Sequence, residues 1–347
     1  MVINKILKQI LLAAMLLSGA QFAFCQGTAK PQTARPPARA TQSLPVIFDS
    51  DIGPDYDDVG AITLLHAFAD SGKCHILATM ASNKYEGIAA VLNVFNTYFK
   101  RPDLPIGVPK GEGVSQRDWQ HWTDTILAKY PHAIKNNSEA ADAVILYRKL
   151  LAGQPDHSVV IITVGFLTNL AGLLRSPADS FSRLDGRQLV RKKVQRLVSM
   201  AGRFPTGKEF NVRMDSTSSI FVVDNWPTQI LFSGFEIGSK IKCGLPLVAD
   251  ATIHDDPVKD VFRISLPQAP EDRLGRMSWD ETAVLVAIAG YKPWYSFREG
   301  VMHVQPDGSN TWEPSALGRH SYLVESRPPV EVQDLINILM MHQPRPN

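Results

Sequence analysis

A chain of 347 residues with 44% hydrophobic and 20% charged side chains can bury a large core, which excludes global disorder. Three Cys exclude a disulfide scaffold, and 23 Gly and 24 Pro are too few for a collagenous or low-complexity protein. The net charge of +2 is unevenly split: residues 1–43 carry Lys5, Lys8, Lys30, Arg35 and Arg39 and no acid, and the other 31 basic and 34 acidic side chains leave a body at −3, without the field a nucleic-acid binder needs.

Lys5 and Lys8 precede the apolar run 10–17, and Ser18, Gly19 and Ala20 follow it. That layout reads as a signal peptide over residues 1–25, cut near Cys25. The run is short for a membrane span of about 20 residues, so no stable span is expected. A lipid anchor on Cys25 is the weaker alternative, because Phe24 fits a lipoprotein cleavage site poorly. Residues 26–43, rich in Pro, Ala and Thr, cannot bury a core and read as a flexible leader. The expected location is secreted or periplasmic. Cys74 and Cys243 could pair there, but two buried free thiols are the favoured reading.

From residue 44 onward, short apolar runs alternate with helical patterns. Residues 44–48 form a buried strand, and 57–69 carries helical spacing through Val59, Ile62, Leu65 and Ala69. Strands at 75–81 and 105–108 flank a helix at 86–99. Residues 138–151 are helical, with Ser138 as the N-cap. The run 159–164 is almost wholly apolar, as a strand covered on both faces should be. The basic residues Arg183, Arg187, Arg191, Lys192, Lys193 and Arg196 read as a solvated helix face. Strands at 194–201 and 229–232 follow, and 335–341 reads as a last amphipathic helix. The alternation predicts an α/β fold in one domain over 44–347: a single doubly wound, mostly parallel sheet with helices on both faces. Ligands then bind outside the carboxyl ends of the strands.

The densest chemistry follows the first strand. Asp49, Asp51, Asp55, Asp57 and Asp58 fall within ten residues. N-capping accounts for one or two of them. Five repel one another unless a cation neutralises them, and an all-oxygen donor set suits Ca²⁺ or Mg²⁺.

This segment resembles the Asp-x-Asp-x-Gly-x-Asp-Asp element that opens the nucleoside hydrolase family, the inosine-uridine-preferring type and its relatives. Here the pattern carries two extra residues, and Asp51, Gly53, Asp57 and Asp58 match best. Further likenesses follow in order: Ser82-Asn83, residues 164–170, Met200-Ala201-Gly202, Glu209-Phe210-Asn211 with Asp215, and Ser278-Trp279-Asp280. The resemblance implies a Rossmann-like enzyme that hydrolyses the N-glycosidic bond of ribonucleosides with Ca²⁺ as cofactor. Asp51, Asp58, Asp280 and the Val164 carbonyl would hold the ion, and Asp51 would also accept a proton from the attacking water. Asp57, Asn83, Glu209 and Asn211 would bind ribose hydroxyls. Trp279 stands where other members carry a His that could protonate the base. That implies departure assisted by stacking, with Trp119 or Trp122 as a second ring and His121 a weaker acid, and hence purine nucleosides as substrates in purine salvage. The expected partner is a small nucleoside; a homo-oligomer is left open.

Two other readings compete. Asp49-Ser50-Asp51 resembles the Asp-x-Asp of aspartate-nucleophile phosphatases, although Gly53 stands where those need a hydroxyl residue. A secreted ribose- or nucleoside-binding protein with little turnover would keep the site and lose the chemistry.

Overall fold

The strand Val159–Thr163 shows why the sheet forms. All five residues are β-branched and buried; Val160 and Ile162 enter one hydrophobic cluster, and Val159 and Ile161 the other. A strand apolar on both faces belongs in the middle of a parallel sheet. Each such Val or Ile contributes about 1.5–3 kcal/mol through burial.

The computed structural model describes residues 43–344. The segments expected to be a signal peptide (1–25) and a leader (26–43) lie outside that range except for residue 43. The strands are β1 (Leu44–Ser50), β2 (Cys74–Ala81), β3 (Ile106–Val108), β4 (Ala141–Asp142), β5 (Val159–Thr163), β6 (Val194–Met200), β7 (Thr206–Lys208), β8 (Gln229–Ser233), β9 (Lys242–Cys243), β10 (Arg276–Met277), β11 (Tyr295–Val304), β12 (Ser309–Pro314) and β13 (His320–Glu325). Eleven of them make one sheet in the order β4-β3-β2-β1-β5-β6-β8-β13-β11-β12-β7. From β4 to β13 every pairing is parallel, as expected. Strands β11, β12 and β7 then extend the sheet as an antiparallel ribbon, which the sequence reading did not anticipate. Strands β9 and β10 pair only with each other.

Helices cover both faces. Asp57–Asp70, Ile88–Tyr98, Pro257–Ser265, Trp279–Ala289 and Pro329–Met340 pack on one side, and Ala143–Ala152, Thr168–Arg175, Gly186–Lys193 and Ser216–Asn225 on the other. Cys74 and Cys243 are buried free thiols. Among the described residues no helix is long and apolar enough to cross a membrane.

Two local expectations are corrected. Ser138 does not cap a helix: it lies in the 3-10 turn Asn137–Glu139, bonded to Asn136 Oδ1. The edge strand β4 intervenes, so the helix restarts at Ala143 and Asp142 caps it, accepting from the Ile145 N–H at 3.0 Å. Of the basic run, only Arg187, Arg191 and Lys192 form an exposed helix face; Arg183 precedes the helix Gly186–Lys193. Arg196 already lies on β6 and donates to the Ala287 carbonyl at 2.9 Å, near the end of Trp279–Ala289.

Candidate active site

The carboxyl ends of β1, β5, β6 and β8 open on a cleft of about 230 Å³, joined there by the first turns of Asp57–Asp70 and Trp279–Ala289. Seven of its lining residues are acidic and one, Arg276, is basic. Such a cleft is built for a cation and repels anions. A larger groove of about 580 Å³ contains Lys110, Asp142, Thr168, Arg175 and Asp215. No buried, unpartnered carboxylate lies in it, so the chemistry belongs to the smaller cleft.

Asp51 leaves β1 at the cleft floor, 3% exposed. The loop after β5 crosses tightly over it: a Cβ on Gly165 would collide with the Asp51 backbone nitrogen and the Ser82 hydroxyl. Asp57 and Asp58 begin the next helix. Ser50 Oγ donates to Asp58 Oδ1 at 2.5 Å, which fixes that carboxylate. Asp51 Oδ2 and Asp58 Oδ2 are buried and have no hydrogen-bond partner among the described residues. Leaving two anionic oxygens so is costly unless something positive meets them. One oxygen each from Asp57, Asp58 and Asp280 also lies within 4.8 Å of the others. The donor set is all oxygen and fits a hard divalent cation.

Asp57 is less free than that grouping suggests. Its Oδ1 accepts from Arg276 Nε and Nη2 at 3.2 and 2.9 Å, and its Oδ2 from the N–H groups of Trp279 and Asp280 at 3.2 and 3.3 Å. A carboxylate offers about four acceptor positions, and all four are taken. Of the three grouped carboxylates, Asp57 therefore keeps the least acceptor capacity for a cation. The Val164 carbonyl, beside them in the cleft, accepts from Asn211 Nδ2 at 2.9 Å.

Glu209 caps the short helix Phe210–Met214, accepting from the N–H groups of Asn211, Val212 and Gly202. Asn211 spends its amide nitrogen on the Val164 and Met200 carbonyls, and among the described residues no hydrogen bond engages its Oδ1. Asn83 does not line the cleft. Its Nδ2 donates to the Asp51 and Gln116 carbonyls, and its Oδ1 accepts from the Tyr85 and Gln116 N–H groups. It pins the 116 loop to the Asp51 turn and has nothing left for a sugar.

The expected pair of indoles is also corrected. Trp122 is fully buried in the core at the start of Trp122–Lys129, and Trp119 is 57% exposed away from the cleft. Asp118 accepts from the Thr123 N–H and hydroxyl at 2.9 and 2.6 Å, at the start of the helix that carries Trp122. His121 is exposed beside Asp124. Trp279 does line the cleft, with Phe235 tilted against it at 5.2 Å and its Nε1 donating to the Phe235 carbonyl.

Burial dominates the electrostatics. It holds Asp58 up at about 6, Asp49 and Glu209 at about 7 and Glu281 at about 8. Burial and then the charge of Asp58 raise Asp51; burial and then Asp57 raise Asp280. Across these ranges the metal-free folded protein binds more protons than the unfolded chain, so its stability falls as pH rises. Burial lowers His66 to about 3 and His320 to about 4, and these two act oppositely within the same window, but the raised carboxylates outnumber them; Asp179, held at about 2 chiefly by Arg148, opposes only in acid. In chelator, Tm should therefore drop between about pH 5 and about pH 8. Added Ca²⁺ should raise it more at the higher pH, because ligation needs ionised carboxylates. Thermal melts at both pH values check this, and a Tm that climbs over the range in chelator would refute it.

Residues 46–326 match the family described as inosine-uridine preferring nucleoside hydrolase. The pyrimidine-specific ribonucleoside hydrolase RihA of Shewanella sp. (strain ANA-3) is 26% identical over 239 residues, 65% of this chain and 67% of that protein. Among solved structures, the plant nucleoside hydrolase PpNRh1 superposes with a TM-score of 0.65 at 16% identity, covering 86% of this chain and 99% of its own. The purine-preferring ribonucleoside hydrolase from Gardnerella vaginalis gives 0.65 at 14% identity, covering 85% and 98%. At such identities the superpositions speak for the fold.

Proposed function

Taking as premise that the chain belongs to the inosine-uridine preferring nucleoside hydrolase family, and so is an N-glycosyl hydrolase of nucleosides, we propose that it works with Ca²⁺ and prefers purine ribonucleosides. One observation carries the cation: Asp51 Oδ2 and Asp58 Oδ2, buried and unpartnered at the carboxyl end of β1. The excess of acids in the cleft works against a phosphate monoester as substrate.

Asp51, Asp58, Asp280 and the Val164 carbonyl would hold the ion. When bound, Ca²⁺ supplies positive charge that lowers the pKa of a nearby water. Asp51 accepts the proton as the water attacks the anomeric carbon. Asn211 offers Oδ1 to a ribose hydroxyl, and Glu209 keeps the Asn211 loop in place. The C–N bond breaks through an oxocarbenium-like state that the surrounding carboxylates stabilise. The base leaves beside Trp279, Phe235 and Phe210 and takes its proton from solvent, since no His lines the cleft among the described residues.

Asp280→Ala should abolish both cation binding and nucleoside cleavage. Calcium titration followed by calorimetry, and release of free base, are the two measurements; full Ca²⁺ binding by the variant would overturn the ligand assignment.

The purine preference rests on the aromatic wall and on the absence of an acid at position 279. A purine has more ring face to stack, and stacking contributes about 1–3 kcal/mol per base. Inosine should be cleaved faster than uridine. Trp279→Ala should lower kcat on inosine about 5- to 100-fold. A nitrophenyl riboside, whose leaving group needs no help, should be spared. Faster turnover of uridine would reverse the base assignment and leave the hydrolase standing.

We also propose action outside the cytoplasm, supported by the Lys5/Lys8 start and the apolar run 10–17. The protein recovered from its host should begin after residue 25; an uncut cytoplasmic chain refutes this.

A further inference from the structure

Asp55 and Asp57 sit two residues apart in opposite circumstances. Asp57 is buried, and all its acceptor positions are filled by Arg276, Trp279 and Asp280. The Asp55 side chain is 35% exposed and lines the same cleft. Its Oδ1 meets the Tyr56 N–H at 3.1 Å and Arg276 Nη2, while no donor among the described residues bonds its Oδ2.

Arg276 is fixed between them. Nη1 reaches Asp272 Oδ2 at 3.3 Å, and the guanidinium lies 4.8 Å from the Tyr56 ring centroid and 5.1 Å from that of Trp279. The Tyr56 hydroxyl donates to the same Asp272 oxygen at 2.5 Å. Four of the five guanidinium hydrogens are thereby engaged. The two residues by which this Asp cluster exceeds the family pattern fall between Gly53 and Asp57, where Asp55 and Tyr56 stand. Inserted segment and Arg276 thus form one unit.

We propose that in this chain Asp55, steadied by Arg276, makes the ribose-hydroxyl contact that the family pattern gives to Asp57, and that Asp57 is a positioning residue for the Trp279–Asp280 turn. This rests on the hydrolase reading above. An exposed carboxylate oxygen on the cleft wall can accept a hydroxyl hydrogen; a saturated one has no room for it. Arg276 holds Asp55 in one rotamer, so the contact costs little ordering on binding.

The test compares inosine with 2′-deoxyinosine and 3′-deoxyinosine in wild type, Asp55→Ala and Asp57→Asn. In wild type, removing the contacted hydroxyl should lower kcat/KM about 10- to 100-fold, as for a hydrogen bond to a charged group. In Asp55→Ala that penalty should shrink towards one for the same analogue. Asp57→Asn should slow all three substrates alike and keep the penalty. A penalty undiminished in Asp55→Ala overturns the proposal, as does one abolished by Asp57→Asn alone. Should Asp57→Asn not fold, Asp55→Ala decides by itself. A wild type that cleaves none of the three overturns the hydrolase reading and this inference with it.

Discussion

Asp51→Asn should lower kcat on ribonucleosides by about 10²- to 10⁴-fold, the usual contribution of a positioned general base. Asn matches Asp in size, so the tight crossing of Gly165 over this residue can survive the change. What disappears is the negative oxygen that lies buried without a partner. Burial first, and then the charges of Asp58, Glu209 and Asp49, raise its pKa well above the usual carboxylate range. An amide there cannot take a proton from water, and it offers a weaker ligand to a cation. Ca²⁺ affinity should therefore fall together with kcat. Steady-state kinetics at saturating Ca²⁺ separate the two effects, since excess ion restores occupancy without restoring a base. A kcat within threefold of wild type under those conditions would remove Asp51 from the proton transfer.

Trp122→Ala should destabilise the fold by about 3–5 kcal/mol, as large-to-small changes of aromatic core residues do. Trp122 has no exposed surface and packs in the cluster that also holds Ile126, Tyr85 and Ile88. Its Nε1 has no partner among the described residues, so the truncation orphans no acceptor there and the cost is cavity and lost contact. Trp119→Ala, at a 57% exposed position, should stay within about 0.5 kcal/mol. Denaturant unfolding of both variants measures this, and equal costs would refute the packing account. Neither change should alter the inosine-to-uridine ratio, since neither ring lines the cleft.

The parallel half of the fold was legible because its signal is local. In β5 every residue is apolar or β-branched and buried, and alternate residues enter opposite clusters. The antiparallel ribbon had a signal too: Asp307-Gly308 between β11 and β12 is a hairpin turn sequence, flanked by Val304 and Trp312. Strand β7 is three residues long and had none. The convergence of Asp51, Asp57, Asp58 and Asp280 was legible through the order of motifs together with the rule that parallel strands present ligands at their carboxyl ends. Partners were not legible. Asn83 looked available for a sugar, yet the 116 loop consumes it. Arg276 stands in a stretch with Glu271, Asp272 and Arg273 that reads as ordinary charged surface. Only its burial against Asp57 and Asp272 distinguishes it, and Asp57 lies 219 positions away.

The sheet ends in β4, two residues long, and β7, three residues long with Gly207 at its centre and Lys208 tied to Asp307. A free edge that short offers few N–H and C=O groups for another chain to copy, and charge on it discourages approach. An eleven-stranded sheet would otherwise be a template for edge-to-edge growth into fibrils. Here association of copies has to proceed through helices or loops, so concentrated protein should remain free of cross-β aggregates while it stays folded.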